Sequence, residues 1–354
     1  MQMHVKDILK KAVFENASDI FIVAGLPISY RIEGTITQAD DAKLIPCDTQ
    51  RLLTQIYELN GNRSMSKLLD KGDDDFSFAI TGLSRFRVSA YKQRGSLSAV
   101  IRVITFSLPT PEALGIPGSV IHTGDFSNGL VLVTGHAGSG KSTTLACIID
   151  YINQNKHQHI ITLEDPLEFL HRHKNCIVSQ REVNVDTESY VTALRASLRQ
   201  SPDVILLGEM RDYETISVAM TAAETGHLIF STLHTLGAAN AIDRIVDVFP
   251  AAEKAQIAMQ LSMVLQCIIS IQLVPDVNGQ QIAAFEIMTV TPAVRNMIRE
   301  NKIPQLEAML YSSNKDDMIS MDNSLLHLYQ KKRITKEIAL EYATNPDMLK
   351  RKLL

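Results

Sequence analysis

Residues 135–142 form the pattern in this sequence that most directly specifies a chemistry. They read GHAGSGKS, which matches the phosphate-loop pattern G-x-x-x-x-G-K-[ST] in full. An apolar, strand-like run at 130–133 precedes the loop, and a helix-like segment at 143–152 follows it. Glycines let the backbone wrap around phosphate oxygens and turn its N–H groups inward at a helix N-terminus. The sequence therefore predicts a nucleoside triphosphate site; the alternative is a glycine- and serine-rich turn that merely precedes a helix.

Two side chains of that loop have defined expected roles. Lys141 is expected to neutralise charge on the β- and γ-phosphates, and the Ser142 hydroxyl to bind Mg²⁺. Backbone N–H groups of the loop supply the other contacts. The predicted nucleotide-binding residues are Gly135, His136, Ala137, Gly138, Ser139, Gly140, Lys141, Ser142 and Thr143.

Carboxylates follow a second strand-like run, residues 159–163. Glu164, Asp165 and Glu168 come directly after it. Open parallel sheets bind ligands at the carboxyl ends of their strands, so these acids are expected beside the nucleotide. Hydrolysis needs one carboxylate to orient or deprotonate water and others to hold the waters of Mg²⁺. The alternative is a polar loop that caps the next element.

A third strand-like run, residues 204–207, is followed by Gly208 and Glu209. It is similar to a Walker B strand in which glycine replaces the usual Asp before the Glu. Without that Asp, Mg²⁺ must depend more on Ser142, on water, and on Glu209 or the acids after the second strand. The division of roles among Glu164, Glu168 and Glu209 stays open at this point.

Histidines bracket the fourth strand-like run, in TGHLIFSTLHT. His227 stands at its start and His234 just beyond its end. Both are expected to sense the γ-phosphate or to hydrogen-bond the catalytic carboxylates. The alternative is a pair of buried histidines whose hydrogen bonds are purely structural.

Arginines are concentrated towards the end of the first hundred residues, at Arg85, Arg87, Arg94 and Arg102. Hydrolysis in phosphate-loop folds usually requires a cation on the γ-phosphate, often from a neighbouring subunit. We expect at least one arginine of this group to reach a nucleotide. The candidates are Arg87, Arg94 and Arg102. The alternative for each is an exposed salt bridge.

The elements that must position these residues change in character along the chain. Up to residue 107 short strand-like and helical runs predict a small α+β domain, and prolines and glycines at 108–117 predict a linker. From residue 118 strands and helices alternate, which predicts an α/β fold with a mostly parallel sheet and helices on both faces. A long buried helix is expected at 252–271. A strand pair is expected around 271–274 and 282–287, with further helices from about residue 290.

Composition limits the classes of function. A chain of 354 residues with 45% hydrophobic and 21% charged residues is typical of a soluble protein of about two domains. The net charge of −4 and the lack of tryptophan or of a basic–aromatic stripe argue against a nucleic-acid partner. Four scattered cysteines form no metal or disulfide pattern, which favours a reducing compartment. No run is long and apolar enough to cross a bilayer, so any membrane association is expected through a partner.

Four stretches together resemble one family. GHAGSGKSTT, ITLEDPLEF, LLGEMRD and TAAETGHLIFSTLHT are similar to the Walker A motif, Asp box, atypical Walker B motif and His box of the ATPases of type II secretion and type IV pili. More narrowly, RFRVSAY and AVRNMIRE resemble the pilus retraction subfamily, and the four-cysteine zinc module common in assembly and secretion ATPases is absent from the sequence. The loop departs from the family at His136 and Ala137, where Pro and Thr are usual.

The resemblance implies roles for the site residues. It implies that ATP is the nucleotide and that Mg²⁺ accompanies it. Glu168 is implied as the general base with Glu164 in support, and Glu209 as the residue that binds or organises Mg²⁺. His227 and His234 are implied to couple the state of the γ-phosphate to domain motion.

The resemblance also implies an assembly. A PAS-like domain (1–107) would join a RecA-like P-loop domain (118–354), six copies would form a ring, and arginines of the first domain would close on ATP. The expected work is pilus disassembly through an inner-membrane platform protein, at the cytoplasmic face of that membrane. A paralogous retraction or assembly ATPase is a further expected partner. The alternatives are the accessory paralogue itself, a nucleotide-regulated scaffold with negligible turnover, and a RecA-like nucleic-acid translocase, which the acidic net charge disfavours.

Overall fold

The computed structural model describes residues 4–32, 34–39, 41–104, 108–313 and 315–353. Contacts divide the chain into two compact units. The first contains Met1–Ser107 and Glu168–Leu170, and the second contains Leu108–Leu167 and His171–Leu354. The phosphate loop, Glu164, Glu209 and both histidines of the His box thus belong to the second unit, whereas Glu168 belongs to the first.

The first unit is an antiparallel sheet with helices. The helices are α1 (Val5–Phe14), α2 (Pro46–Leu59) and α3 (Ser66–Lys71). The strands are β1 (Asp19–Ile22), β2 (Ser29–Ile32), β3 (Thr35–Gln38), β4 (Asp73–Ile80), β5 (Ser84–Gln93) and β6 (Ser96–Ile104). Their order in the sheet is β3-β2-β1-β6-β5-β4. One cluster of buried side chains, with Leu9, Leu53 and Ile101 among its members, joins α1, α2 and the sheet into an α+β core.

The second unit alternates strands and helices. Its strands are β7 (Gly129–Thr134), β8 (His159–Glu164), β9 (Ile177–Glu182), β10 (Val204–Leu207), β11 (Leu228–Leu233), β12 (Leu265–Pro275), β13 (Gln281–Thr289) and β14 (Met318–Ile319). Its helices up to β12 are α4 (Gly118–Ile121), α5 (Lys141–Asn155), α6 (Tyr190–Ser197), α7 (Tyr213–Glu224), α8 (Ala238–Asp247) and α9 (Lys254–Val264). The later helices are α10 (Pro292–Arg299), α11 (Ile303–Ser312), α12 (Met321–Gln330), α13 (Lys336–Glu341) and α14 (Pro346–Lys352).

The sheet of the second unit brings the ends of the motif-bearing strands together. Its order is β14-β13-β12-β7-β11-β10-β8-β9, and the six strands from β12 to β9 run parallel. The antiparallel strands β13 and β14 complete it at one side. We call the edge where β7, β8, β10 and β11 end the carboxyl edge, and the opposite one the amino edge. The predicted mostly parallel sheet is confirmed.

Helices cover both faces of this sheet, as the strand–helix alternation predicts. Successive residues of a strand point to opposite faces. In β7, Leu130 and Leu132 belong to one buried cluster, which includes side chains of α6 to α11, and Val131 and Val133 belong to another, which includes side chains of α5. A strand buried on both faces reads as an uninterrupted apolar run, as 130–133 does.

The predicted helix at 252–271 is wrong over its last seven residues. The helix α9 ends at Val264, and residues 265–271 form the start of β12, which lies parallel to β7. Both faces of β12 are buried, and a continuously apolar strand cannot be told from a buried helix by periodicity alone. The predicted strand pair that follows is confirmed, because β12 pairs with β13 from Cys267 to Pro275.

Candidate functional site

The phosphate loop connects the end of β7 to the start of α5 at the carboxyl edge. Gly135, Gly138 and Gly140 have φ angles of +143°, +76° and +93°, a region that side chains with a Cβ rarely adopt. The ammonium of Lys141, the first residue of α5, is buried and donates to the carbonyls of Gly135 and His136, both at 2.8 Å. The loop is therefore wound around its own lysine at a helix N-terminus, which is a geometry suited to phosphate.

Hydroxyl groups near the same edge have unused hydrogen-bonding capacity. Four are buried and have no hydrogen-bond partner in the described part of the chain: Thr134, Ser139, Ser231 and Thr235. Thr134 is the last residue of β7, and Ser231 pairs in register with Leu207, the last residue of β10. Buried polar groups in folded proteins nearly always find a partner. This edge therefore keeps capacity for a ligand or for water.

Two of the predicted acids end neighbouring strands at this edge. Glu164 is the last residue of β8 and accepts a hydrogen bond of 2.7 Å from the Thr162 hydroxyl. Glu209 follows β10, and its side chain is only 18% exposed. Its Oε2 lies 2.6 Å from Nε of Arg211 and 3.4 Å from Nε2 of His234. The structure thus joins the predicted Glu209 and His234 directly and adds Arg211 to them.

Tyr190 is a residue of this region that sequence reasoning missed. It is the first residue of α6, and a Cβ built on Gly208 would come within 2.7 Å of its hydroxyl. Burial, and next the charges of Glu209, Asp165 and Glu164, raise the pKa of Tyr190 above its usual range. The hydroxyl therefore lies among the acids that end β8 and β10. No spacing rule links positions 190 and 208, so the sequence gives no signal for this contact.

A cavity of about 160 Å³ lies beside Glu209 and His234. Arg211 lines it from the loop after β10, and Arg244 lines it from α8. Two guanidinium groups next to one carboxylate and one imidazole suit an anionic group. Sequence reasoning gave Arg244 no role, because its position depends on how α8 packs against the sheet.

A larger cavity of about 760 Å³ has Glu286 among its lining residues and also Ser270, which pairs with Thr134 at the end of β7. The Glu286 carboxylate accepts from the backbone N–H groups of Ala238 and Met321, at 2.7 and 3.2 Å. These residues begin α8 and α12, so the buried acid joins two helix N-termini. Both carboxylate oxygens of Glu286 thus accept hydrogen bonds that hold helices in place. The volume of this cavity is not by itself a reason to place the chemistry there.

The residues at the carboxyl edge fit a magnesium nucleotide. Among the described residues, no group of three or more His, Cys, Asp or Glu side chains is arranged to hold a metal ion. Mg²⁺ at nucleotide sites is usually held by one or two protein oxygens, by phosphate oxygens and by water. Ser142 in the first turn of α5 and Glu209 after β10 are oxygen donors of that kind.

Comparison with known proteins decides the family. A family model described as "Type II/IV secretion system protein" matches residues 1–349. The chain belongs to this family. The prediction made from the four motifs is therefore confirmed, and with it the assignment of the chain to a family of ATPases and of its second unit to the P-loop ATPase fold.

Individual relatives agree with the family assignment over almost the whole chain. The chain is 44% identical over 345 residues to the type IV pilus retraction ATPase PilT of Pseudomonas aeruginosa, covering 98% of this chain and 99% of the relative. It is 37% identical over 349 residues to the type IV pilus ATPase PilU of the same organism, covering 98% and 91%. The crystal structure of the pilus retraction motor PilT with bound ADP matches with a TM-score of 0.89, at 44% identity and 99% coverage of both chains.

Helices long and apolar enough to cross a membrane are not found among the described residues of this family member.

Glu168 is the predicted site residue whose place differs most from expectation. It is exposed, and the short segment Glu168–Leu170 groups with the first unit rather than with the phosphate loop. Its role as general base stays a prediction. Glu164 and Glu209, by contrast, belong to the same unit as Lys141.

His227 corrects the expectation that both histidines of the His box face one site. It directly precedes β11, and its backbone carbonyl accepts from Gly129, the first residue of β7. The phosphate loop follows the other end of β7. Because seven residues of extended chain span roughly 23 Å, His227 and His234 lie at opposite edges of the sheet. Of these two histidines, only His234 lies at the carboxyl edge of its own chain.

The three predicted arginines of the first unit do not form one cluster. Arg87 on β5 and Arg102 on β6 are directly opposite in register. Arg102 is exposed and donates from Nε to Asp19 at 3.2 Å. Arg94 lies in the turn between β5 and β6, seven residues from Arg87 and so roughly 23 Å away along the strand. A single phosphate can therefore be contacted by Arg87 with Arg102, or by Arg94, and not by all three of one chain.

Proposed function

We propose that this chain is the motor ATPase that powers retraction of type IV pili. The carrying observation is that Lys141, held by the carbonyls of its loop, and Glu209, held by Arg211 and His234, lie at the same edge of one parallel sheet. A phosphate-binding lysine and a fixed carboxylate at one sheet edge are two of the parts that nucleotide hydrolysis in this fold uses. The similarity to the P. aeruginosa retraction ATPase PilT supports pilus retraction as the work performed.

Each residue has a proposed role in hydrolysis. Lys141 and the loop N–H groups bind the phosphates of ATP, and Ser142 and Glu209 hold Mg²⁺, which when bound neutralises phosphate charge. Glu168 deprotonates or orients the attacking water, with Glu164 in support. His234 responds to the γ-phosphate through its contact with Glu209.

The proposed assembly extends beyond one chain. The first unit is a PAS-like domain, the second is RecA-like, and six copies form a ring. Arginines of the first unit, either Arg87 with Arg102 or Arg94, contact a nucleotide. The ring acts in the cytoplasm against an inner-membrane platform protein, with a paralogous retraction or assembly ATPase as a further partner and without nucleic acid.

Steady-state ATP hydrolysis tests this proposal. Wild type is compared with Lys141→Ala, Glu168→Gln and the control Lys174→Ala, whose ammonium pairs with Asp150 outside the loop. We expect Lys141→Ala to lose ATP binding, and Glu168→Gln to bind ATP, form rings and turn over roughly a hundredfold or more slowly. Lys174→Ala should match wild type.

Two results would contradict parts of the proposal. A wild-type ring without measurable turnover would exclude a motor and leave a nucleotide-regulated scaffold. Normal turnover of Glu168→Gln would move the base to Glu164 or Glu209 and leave the motor in place.

An accessory paralogue of the retraction motor is the second candidate, because the chain is also 37% identical to the P. aeruginosa ATPase PilU. Expression in a strain that lacks its main retraction ATPase separates the two. Restored twitching supports the main motor. Restoration that requires a second, catalytically active retraction ATPase supports the accessory role.

A further inference from the structure

The start of α6 lies against the strand that carries Glu209. Ser189 caps this helix by accepting from the N–H of Thr192 at 3.2 Å, which fixes Tyr190 as its first residue. The Tyr190 ring is partly buried and packs against the main apolar cluster of the second unit. The direction of its hydroxyl is therefore set by the helix start and by packing, not by solvent.

Gly208 leaves the space that the hydroxyl occupies. A Cβ at this position would meet the Tyr190 oxygen at 2.7 Å, a separation that real Cβ atoms essentially never show, and would meet Glu164 Cα at 3.4 Å. Position 208 is where a Walker B strand usually carries an aspartate. In this chain the side-chain space next to Glu209 is thus filled by a phenol from a different element.

The hydroxyl lies between the chain segments that carry Glu164 and Glu209, because the Cβ position of Gly208 is 2.7 Å from it and 3.4 Å from Glu164 Cα, and Glu209 is the next residue. Burial, and next the charges of Glu209, Asp165 and Glu164, raise the pKa of Tyr190, and the charge of Arg211 lowers it. A phenol keeps its proton near neutral pH and can donate one hydrogen bond, whereas an ionised carboxylate can only accept. Among the described residues, the Tyr190 hydroxyl makes no direct hydrogen bond to another side chain or to the backbone.

We propose that Tyr190 is a positioning residue for ATP hydrolysis, whose hydroxyl donates to Glu209 through one water and holds this carboxylate in its working orientation. This inference rests on the proposed function, because the orientation of Glu209 matters only to an enzyme that uses it.

The test is Tyr190→Phe, which removes one oxygen and keeps the ring in the core. The matched control is Tyr213→Phe. Tyr213 also begins a helix, α7, and its hydroxyl also donates to a carboxylate, that of Glu253, at 3.1 Å. Unlike Tyr190, Tyr213 is exposed. Measurements are kcat, KM for ATP, ring formation and the thermal unfolding midpoint of both variants and wild type.

We expect Tyr190→Phe to lower kcat about tenfold, the size that follows from the loss of one water-mediated hydrogen bond to a charged group. KM, ring formation and the unfolding midpoint should stay at wild-type values, which a purely structural role would not allow. Tyr213→Phe should leave kcat unchanged. A kcat of Tyr190→Phe within twofold of wild type, or a fall shared with the unfolding midpoint, overturns the inference.

A double-mutant cycle checks that Tyr190 acts through Glu209. In a Glu209→Gln background, where the charged acceptor is gone, Tyr190→Phe should change the residual single-turnover rate less than twofold. A full tenfold effect in that background would overturn the link to Glu209. Absence of turnover in wild type would instead contradict the proposed function itself, so the two failures are distinguishable.

Discussion

The strand β11 has a histidine next to each of its ends, and the two meet different surroundings. At the amino edge, His227 Nδ1 lies 2.9 Å from the carbonyl of Ala222. His159, at the start of β8, lies 3.0 Å from the carbonyl of Gln200 through Nδ1 and 3.0 Å from the Ser179 hydroxyl through Nε2. These imidazoles complete hydrogen bonds that the fold itself needs.

At the carboxyl edge, His234 makes no hydrogen bond of this structural kind in the described part of the chain. His234 is half exposed and contacts only the carboxylate of Glu209, at 3.4 Å, in the hydrogen bonds and ion pairs of the described residues. Two buried hydroxyls without described partners belong to the same edge: Thr134 ends β7, and Ser139 lies in the phosphate loop. Among the described residues, unpartnered buried polar atoms also occur elsewhere, as at Gln158 beside the amino edge. What distinguishes the carboxyl edge is that four such hydroxyls occur there together with the phosphate loop and Glu209.

The difference between the two edges should change kcat most when an acidic residue is replaced. Glu209→Gln at the carboxyl edge should lower kcat by two or more orders of magnitude while ATP binding persists, because the charge that organises Mg²⁺ is lost. Asp203 serves as the amino-edge control, since its carboxylate accepts from the N–H of His159 at 2.8 Å, a bond that an amide oxygen can also accept. Asp203→Asn should keep wild-type kcat. An equal loss of kcat in both variants would show that acids at the two edges do not differ in their importance for turnover.

The histidine pair gives the next largest effect. His234→Gln should lower kcat roughly tenfold with an unchanged unfolding midpoint, because it removes a contact to Glu209 and no bond needed for folding. His227→Gln should do the reverse: kcat within twofold of wild type and a lower unfolding midpoint, since the bond to Ala222 is disturbed. Parallel measurement of turnover and thermal unfolding separates the two, and a loss of turnover in His227→Gln would return this residue to the site.

The phosphate loop and the ends of the parallel strands could be predicted from the sequence, because each depends on residues that are close together along the chain. Glycines at positions 135, 138 and 140, a lysine and an apolar run before them already define the phosphate loop. The parallel sheet follows from strand–helix alternation, and it brings Glu164, Glu209 and His234 to one edge.

The remainder depends on contacts that no local rule encodes. The expectation that His227 also meets the γ-phosphate overlooks strand direction, because His227 precedes β11 and ligands bind at the carboxyl ends of parallel strands. The segment 265–271 is mostly apolar, interrupted only by Gln266 and Ser270, and fits helix or strand equally until its neighbour β7 is known. Tyr190 gains its place from the missing side chain of Gly208, eighteen positions later in the chain.

Replacing single threonine hydroxyls should give the smallest effect. It tests, by stability alone, whether the buried hydroxyls of the carboxyl edge lack hydrogen-bond partners. Thr134 and Thr123 are both buried, but Thr123 donates to the carbonyl of Val120 at 2.7 Å, whereas the Thr134 hydroxyl has no described partner. Valine has the shape of threonine without the hydroxyl. Thr123→Val should therefore lose about 1 kcal/mol of unfolding free energy, and Thr134→Val should lose none or gain up to about 1 kcal/mol. Urea unfolding of the nucleotide-free protein measures both. A loss in Thr134→Val as large as in Thr123→Val would mean that the carboxyl edge satisfies its own hydroxyls, and the contrast between the edges would then rest on charge alone.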